Sequence, residues 1–244
     1  MNPVDLRLYA IVDPEHLGGK SLADLARQVA QGGATLVQLR DKLSDTRPFI
    51  EHAKAVQAAL KPYRVPLLIN DRVDVALAVG ADGVHVGQTD MEAADARRLL
   101  GPKAIIGLSL KSMADIEAAP LALLDYVAIG GAYATTSKEA KTAPVGLDGF
   151  KARVAAMRAR AQKMPIVAIA GIHAGNAAGV VEAGVDGVSV ISALSKPADS
   201  AAAARELRGV VDAALGKRGT CCRPRSPSPS PDRILQAAPA SRPT

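Results

Sequence analysis

LLINDRVDVALAVGADGVHVGQTD, at residues 67–90, has the pattern of one strand–helix–strand unit. The apolar run at 67–69 is long enough for a buried parallel strand. Residues 73–79 have the length and apolar spacing of a short helix, which Gly80 ends. Residues 82–86 then have the composition of the next strand. The stretch therefore predicts two neighbouring parallel strands joined by a helix.

Two aspartates follow the two predicted strands at the same end. Asp71 comes directly after the first strand, with Asn70 beside it, and Asp90 follows the second. Because adjacent strands lie roughly 5 Å apart, both carboxylates can converge on one point. A pair of carboxylates suits a hard cation such as Mg²⁺, which completes its shell with water and substrate phosphate. The alternative is that each aspartate caps the helix that follows it, but the pair beside an amide favours a site.

The same alternation extends outward in both directions. Strands are predicted at 6–12, 35–39, 67–69, 82–86, 104–107, 125–129, 165–168 and 186–191. Helices are predicted at 21–31, 45–60, 73–79, 91–100, 112–118, 147–162, 173–183 and 199–215. Three strands share a frame in which a glycine ends the helix and the strand begins two residues later, at 33–38, 80–85 and 184–189.

Eight strands alternating with eight helices predict the α/β class and a (β/α)₈ TIM barrel over residues 1–215. The recurring frame suits a closed barrel built from equivalent units. The alternative is a doubly wound open sheet, which is expected to carry a GxGxxG loop after an early strand. The sequence has no such loop.

Residues 216–244 differ in composition from the rest of the chain. They hold six of the sixteen prolines, several of them at alternate positions, and this pattern forms neither helix nor sheet. We predict a Pro/Ser/Arg-rich disordered tail there. About five of the six net positive charges fall in this segment, so the predicted barrel is nearly neutral. A nucleic-acid surface on the barrel is therefore not expected.

Composition excludes several other classes. Aromatic residues make up 2% of the chain, too few for a platform that stacks single-stranded nucleic acid. No apolar run approaches the ~20 residues of a membrane helix, and the first residues lack the pattern of a signal peptide. Cys221 and Cys222 are adjacent and suggest neither a disulfide framework nor a metal site. We expect a cytoplasmic protein without membrane or nucleic-acid partners, and leave open whether it forms an oligomer of identical chains.

The active site of such a barrel lies at the carboxyl ends of the strands. The residues predicted there are Gln38, Arg40, Lys42, Asn70, Asp71, Asp90, Ser109, Thr135, Thr136, Ser137, Lys138, Gly171 and Ser192. Three cations, a hydroxyl-rich loop and glycine-containing turns before helices form a set for binding phosphate. The two carboxylates would repel phosphate unless a metal lay between them.

No residue of this set is a good nucleophile or general base. His85 is expected to be a packed or hydrogen-bonded side chain, and a role for His173 in anion binding is the less favoured interpretation of that residue. Electrostatic stabilisation of a departing diphosphate by Mg²⁺ and cations is the chemistry that the set favours.

Together these motifs resemble the thiamine phosphate synthase family. The matching stretches are LYAIVD at 8–13, QLRDK at 38–42, LLIND at 67–71, ADGVHVGQTD at 81–90, IIGLS at 105–109, GGAYATTSK at 130–138, AIAGI at 168–172 and VSVIS at 188–192. Each motif alone is weak, but eight in order are specific. The resemblance implies a transferase that joins 4-amino-2-methyl-5-(diphosphooxymethyl)pyrimidine to 4-methyl-5-(2-phosphooxyethyl)thiazole, giving thiamine phosphate and diphosphate.

The resemblance also implies a role for each site residue. The pyrimidine diphosphate is held by Gln38, Arg40, Lys42, Asn70, Ser109 and Lys138. Asp71 and Asp90 hold Mg²⁺ on the diphosphate. The thiazole phosphate is received by Thr135, Thr136, Ser137, Gly171, Ile191 and Ser192. The family mechanism releases diphosphate first, assisted by the charges of Arg40, Lys42 and Lys138, and the thiazole nitrogen then traps the pyrimidine methyl cation. No residue is needed as acid or base.

The sequence departs from the family pattern in two places. The loop after the sixth strand lacks the prolines that many members have there, and Ala170 stands where glycine is common. We expect the methyl group of Ala170 to narrow the thiazole phosphate pocket slightly.

Three other functions are consistent with parts of the pattern. A thiazole tautomerase is expected to lack the complete diphosphate set, and a non-catalytic carrier of a phosphorylated metabolite gains nothing from two carboxylates beside an anion. A different phosphate-binding barrel enzyme would need a poised general acid or base.

Overall fold

The structure is a computed structural model that describes residues 4–135 and 143–221. Eight parallel strands form a closed barrel in sequence order, and β8 pairs with β1. The strands are β1 Leu8–Val12, β2 Leu36–Leu39, β3 Leu67–Asn70, β4 Gly83–Val86, β5 Ile105–Leu110, β6 Tyr126–Gly130, β7 Ile166–Ile169 and β8 Gly187–Val190. The predicted (β/α)₈ barrel is therefore confirmed, and the open-sheet alternative is wrong.

The helices surround the strands, as the alternating pattern predicts. They are α1 Leu22–Gln31, α2 Thr46–Leu60, α3 Val73–Val79, α4 Ala93–Leu100, α5 Met113–Ala118, α6 Gly146–Arg160, α7 Ala174–Glu182, α8 Ser192–Ser195 and α9 Ser200–Cys221. Ser21 caps α1 by accepting a hydrogen bond from the backbone N–H of Asp24 at 3.0 Å. Gly80 ends α3 in the left-handed conformation, at φ 62°.

Apolar side chains pack in two layers. The larger cluster lies between the barrel and the helices, and residues such as Leu39, Ile69, Phe49 and Val180 are fully buried in it. A smaller cluster fills the barrel interior and consists of Leu6, Tyr9, Leu36, Leu68, Ile105, Tyr126, Ala128 and Val167. Since successive residues of a strand face opposite sides, every strand of the barrel is buried on both faces. This explains why the strands have nearly continuous apolar sequences.

The sequence frame that three strands share, at 33–38, 80–85 and 184–189, forms a recurring hydrogen bond at the amino-terminal ends of the strands. Its third residue accepts a hydrogen bond from a backbone N–H at the start of the preceding strand. Thr35 accepts from Leu8 at 3.1 Å, and Asp82 accepts from Leu67 at 2.8 Å. Asp125 and Asp186 make the same bond to the strands before them, at 2.9 and 2.8 Å. These residues fasten the face opposite the predicted site.

Strand β5 differs from the prediction. It continues to Leu110, so Ser109 lies inside the strand and not in the loop after it. Gly107, taken as the end of the strand, is a position where a side chain does not fit. A Cβ there would lie 2.0 Å from the ring of Tyr126. The glycine therefore makes room for an aromatic ring inside the barrel and does not interrupt the strand.

Two further elements correct the prediction. The four-residue helix α8 was not predicted, because one turn is too short to show a periodic pattern. The last helix runs to Cys221, so the predicted boundary at residue 215 is wrong. Arg218 holds this extension by donating hydrogen bonds to the carbonyls of Val181, at 3.1 Å, and Val185. Residues 222–244, the rest of the predicted tail, lie outside the described residues.

None of the helices that the structure describes is long and apolar enough to cross a membrane.

Candidate active site

Two cavities lie at the carboxyl ends of the strands, where the sequence predicts the site. The larger has a volume of about 460 Å³ and the smaller about 50 Å³. They share the wall residues Ile11, Ile169, Ser189 and Ile191. The two cavities therefore adjoin each other at these four residues.

The smaller cavity contains four of the residues predicted to hold the pyrimidine diphosphate. Gln38, Arg40, Asn70 and Ser109 line it. Gln38 and Asn70 come from β2 and β3, and Arg40 follows the end of β2. The closed barrel brings these residues, which span 72 positions of the sequence, to one cavity. Their roles towards the pyrimidine diphosphate stay predictions.

Asp71 and Asp90 lie side by side at the rim of the barrel. Burial raises the pKa of Asp71, Lys42 opposes this by donating a hydrogen bond to the carboxylate, and Asp90 raises the pKa further. The pKa of Asp71 is therefore above its ordinary value. Two carboxylates that repel each other at a partly buried position form a site that a cation would stabilise.

Neither aspartate caps the helix after it, so the capping alternative is wrong. The N-cap residues of α3 and α4 are Arg72 and Glu92, and neither helix has a side-chain cap. Asp90 instead accepts a hydrogen bond from the backbone N–H of Gly87 at 2.8 Å, which closes the turn before it. Asp71 has a φ of 61°, an uncommon conformation for a residue with a side chain.

Carboxylates also fix the positions of Arg40 and Lys42, the cationic side chains of the site within the described residues. Arg40 contacts the fully buried Asp13 at 2.5 Å and Glu15 at 3.5 Å. Lys42 follows Asp41, whose Oδ1 accepts hydrogen bonds from the backbone N–H groups of the next turn. The guanidinium and the ammonium group are thus held near the rim before any ligand binds.

A buried chain of hydrogen bonds crosses the barrel below the smaller cavity, and sequence reasoning missed most of it. The hydroxyls of Tyr9 and Tyr126 are 2.9 Å apart, and Tyr126 contacts His85 Nδ1 at 2.8 Å. His85 Nε2 contacts Ser109 Oγ at 2.8 Å. Gln38 Nε2 donates to the Tyr9 hydroxyl. His85 is a hydrogen-bonded side chain, as expected. The indication in the sequence for these two residues was that tyrosine is rare: the chain has four tyrosines, and two of them lie in strands.

The larger cavity contains the described residues predicted to receive the thiazole phosphate. Thr135, Gly171, Ile191 and Ser192 line it, and Ser192 opens the short helix α8. A short extra helix after the last strand is a frequent phosphate site in barrels of this kind. His173 and Asn176, at the start of α7, also line this cavity. Sequence reasoning missed Asn176.

The turn after β7 brings the loop after β6 against this cavity. Gly171 has a φ of 68°, and a Cβ there would lie 2.2 Å from the carbonyl oxygen of Ala134. Asn176 Nδ2 donates to the Gly171 carbonyl at 2.9 Å. His173 Nδ1 accepts from the backbone N–H of Gly175 at 3.2 Å, so this histidine caps α7. Ala170 lines the cavity, as expected, and has a φ of 76°.

Three predicted residues, Thr136, Ser137 and Lys138, lie outside the described residues. The loop that holds them leaves the barrel beside the larger cavity, where Tyr133, Ala134 and Thr135 form part of the wall.

Comparisons with known proteins agree on one family. The family model described as thiamine monophosphate synthase matches residues 8–194. A thiamine-phosphate synthase of Agrobacterium fabrum is 49% identical over 89% of this chain and 99% of its own length. That of Moorella thermoacetica is 44% identical over 86% and 98%. The solved structure of thiamine phosphate pyrophosphorylase from Pyrococcus furiosus has a TM-score of 0.74 and 36% identity, and the match covers 87% of this chain and 98% of that one.

Proposed function

Since the chain belongs to the thiamine monophosphate synthase family, we propose that it works as a transferase of thiamine biosynthesis in the following way. It joins 4-amino-2-methyl-5-(diphosphooxymethyl)pyrimidine to 4-methyl-5-(2-phosphooxyethyl)thiazole and releases diphosphate. The observation that carries this proposal is the pair of adjoining cavities. Asp71, which contacts Asp90 and Lys42, directly follows Asn70 of the smaller cavity.

The pyrimidine ring enters the smaller cavity, where Gln38, Asn70 and Ser109 supply hydrogen-bonding groups. Its diphosphate extends towards the rim, where Arg40 and Lys42 stabilise the charge that develops as it leaves. The resemblance assigns the same task to Lys138, which lies outside the described residues. Arg40 is held rigidly by Asp13 and Glu15. Such preorganised charges lower a barrier because they need no rearrangement during the reaction.

The thiazole phosphate occupies the larger cavity. Its phosphate is received by the backbone N–H groups near Gly171 and Ser192 and by Thr135. The resemblance assigns Thr136 and Ser137, which lie outside the described residues, to the same phosphate. Because the two cavities adjoin, the thiazole nitrogen then faces the pyrimidine methylene carbon. The bond from the carbon to the diphosphate oxygen breaks first, and its electron pair leaves with the diphosphate. The thiazole nitrogen then forms a bond to the resulting pyrimidine methyl cation with its lone pair. The nitrogen loses no proton, so the reaction needs no general base.

Mg²⁺ fits the carboxylate pair by the chemistry of the donors. Two adjacent carboxylates, with water and phosphate oxygens to complete the shell, match its preference for oxygen ligands. Within 4–135 and 143–221 no group of three or more acidic, histidine or cysteine side chains is placed to hold a metal ion, so water and substrate oxygens would complete the shell. Asp71 and Asp90 would hold the ion, which would neutralise charge on the departing diphosphate. Lys42, which contacts Asp71, would turn to the diphosphate.

The test is product formation by the purified full-length chain. With both substrates and Mg²⁺, thiamine phosphate and diphosphate should appear in equal amounts. Omission of either Mg²⁺ or the thiazole phosphate should abolish both products. Failure to form thiamine phosphate under every condition, while the thiazole phosphate still binds, would favour a tautomerase or a carrier.

The cytoplasmic location and the absence of nucleic-acid partners stay predictions from the sequence. Oligomeric state is open, and size measurement in solution decides it.

A further inference from the structure

The hydrogen-bond chain below the smaller cavity has a direction. It runs from Gln38 through the hydroxyls of Tyr9 and Tyr126 to His85 and ends at Ser109. Each phenol carries a single proton and can therefore donate only one hydrogen bond. The direction of the first bond thus determines that of every later one.

The first bond is donated by an amide nitrogen. Gln38 Nε2 can only donate, so the Tyr9 hydroxyl accepts from it and gives its own proton to Tyr126. Tyr126 then donates to His85 Nδ1, which must carry no proton. Burial raises the pKa of both phenols, so each keeps its proton at neutral pH.

The imidazole that results is neutral, with its proton on Nε2. This nitrogen donates to Ser109 Oγ, and the serine keeps its own proton for a group in the cavity. At the other end, the Nε2 group of Gln38 is engaged by Tyr9, which leaves its Oε1 as an acceptor at the cavity wall. If the side-chain amide of Gln38 were rotated so that Oε1 faced Tyr9, donor and acceptor would be exchanged in every hydrogen bond of the chain.

We propose that His85 is a positioning residue, which Tyr126 and Tyr9 hold as the neutral Nε2–H tautomer. In this arrangement Ser109 is a hydrogen-bond donor and Gln38 a hydrogen-bond acceptor towards the substrate. The small cavity then selects a ring with an acceptor atom on the Ser109 side and a donor group on the Gln38 side. An aminopyrimidine has both, as a ring nitrogen and an exocyclic amino group. The choice of ligand rests on the proposed function, but the tautomer does not.

Packing supports a fixed orientation of the imidazole. Its ring stacks on that of Tyr126, with centroids 5.6 Å apart and an interplanar angle of 26°. Tyr9 meets Tyr126 edge to face at 5.9 Å. Gly107 provides the space for the Tyr126 ring, since a Cβ at that position would lie 2.4 Å from the hydroxyl oxygen. The rings cannot change partners without displacing their neighbours.

The tautomer is measured directly by long-range ¹H–¹⁵N correlation on the ¹⁵N-labelled full-length protein at neutral pH without ligand. The His85 signals are identified by their loss in His85→Gln. We expect a protonated Nε2 and an unprotonated Nδ1 in the wild type. Tyr126→Phe removes the donor to Nδ1 and should give a mixture of tautomers. The control Tyr63→Phe, at an exposed tyrosine that takes no part in the hydrogen bonds of this network, should keep the wild-type pattern. A proton on Nδ1 in the wild type overturns the proposal.

Kinetics test the consequence for substrate. His85→Leu should raise KM for the pyrimidine diphosphate at least tenfold and leave KM for the thiazole phosphate within twofold. His85→Gln keeps an N–H donor for Ser109 and should recover most of the loss. Equal effects on both KM values, or no recovery by glutamine, overturn the positioning role. If His85 is the Nε2–H tautomer but the protein forms no thiamine phosphate, the proposed function is refuted and the assignment of the tautomer stands.

Discussion

At the scale of single residues, acidic side chains decide where the cations of the site lie. Asp13 is fully buried and holds Arg40, and Asp71 contacts Lys42. Asp41 shapes the turn after Lys42 through hydrogen bonds from the backbone N–H groups of Leu43 and Ser44, at 3.1 and 2.9 Å. The positive charges of the site are thus placed by carboxylates that need not touch substrate.

Asp41 gives a prediction about pH. Burial by itself raises the pKa of this carboxyl, but the His52 contact at 2.9 Å and the backbone N–H groups outweigh burial, so the pKa lies below its ordinary value. A lowered pKa stabilises the fold above the unfolded pKa of about 3.9, and this contribution is lost as the pH falls through the folded value. Asp41→Asn should therefore reduce the free energy of unfolding by about 1–3 kcal/mol at pH 7.

Urea unfolding at several pH values checks this expectation. The difference between wild type and Asp41→Asn should shrink below about pH 4. Asp45→Asn is the matched control, because Asp45 is exposed and its side chain makes no capping bond to α2. A difference that stays constant down to pH 2 would show that the ionised Asp41 carboxylate is not the stabilising form.

Residues at strand ends were predictable, and those that meet across the barrel were not. Gln38, Arg40, Asn70 and Asp71 follow from the position of each strand end, because parallel strands place their carboxyl ends together. Tyr9 and Tyr126, by contrast, are 117 positions apart, and their contact depends on strand register and on the space left by Gly107. A local sequence pattern does not show which side chains of two strands so far apart in the chain meet inside the barrel.

At the scale of elements, the turn between β7 and α7 is strained at one residue. Ala170 has a φ of 76°, where an alanine is less stable than a glycine by about 1–2 kcal/mol. Ala170→Gly removes this strain but adds freedom to the unfolded chain, which offsets about 0.4–1 kcal/mol. We expect a net gain in the free energy of unfolding of about 0–1.6 kcal/mol, measured by urea denaturation.

The control for this substitution is Ala58→Gly, at an exposed position inside α2. There the same change should destabilise the protein by about 1 kcal/mol, because glycine is a poor helix former. Equal losses from the two substitutions would mean that the turn stores no strain at Ala170.

Element types were predictable because strand and helix periods differ and glycines end helices visibly. The ends of the elements were less predictable. Gly107 was taken as a strand end but is a packing position, and the last helix, predicted to end at residue 215, continues through Gly216 to Cys221. In both cases a contact distant in sequence overrides the local preference of glycine.

At the scale of the whole molecule, the two faces of the barrel have different tasks. The amino-terminal face is fastened by the bonds of Thr35, Asp82, Asp125 and Asp186 to the preceding strands. The carboxyl face holds the cavities. This separation lets the site tolerate unusual backbone at Asp71 and Ala170, since stability comes from the opposite end.

Truncation tests how far the folded unit extends. Ending the chain after Leu215 removes the hydrogen bonds of Arg218 to the carbonyls of α7 and the turn after it, and should lower the free energy of unfolding by about 1–3 kcal/mol. Ending it after Cys221 removes no described contact and should change stability little. Arg218→Ala in the full chain should reproduce most of the first loss. Equal melting temperatures for the two truncated chains would restore the boundary to residue 215.

The most direct test of the proposed chemistry is the rate of thiamine phosphate formation as a function of Mg²⁺ concentration, in the wild type, Asp90→Asn and Asp95→Asn. Asp95 is an exposed aspartate on α4 that pairs with Arg98, so it serves as the control. If Asp71 and Asp90 hold the ion, Asp90→Asn should raise the Mg²⁺ concentration for half-maximal rate by more than about tenfold, while Asp95→Asn follows the wild type. Superimposable curves for all three proteins would contradict a metal site at this pair.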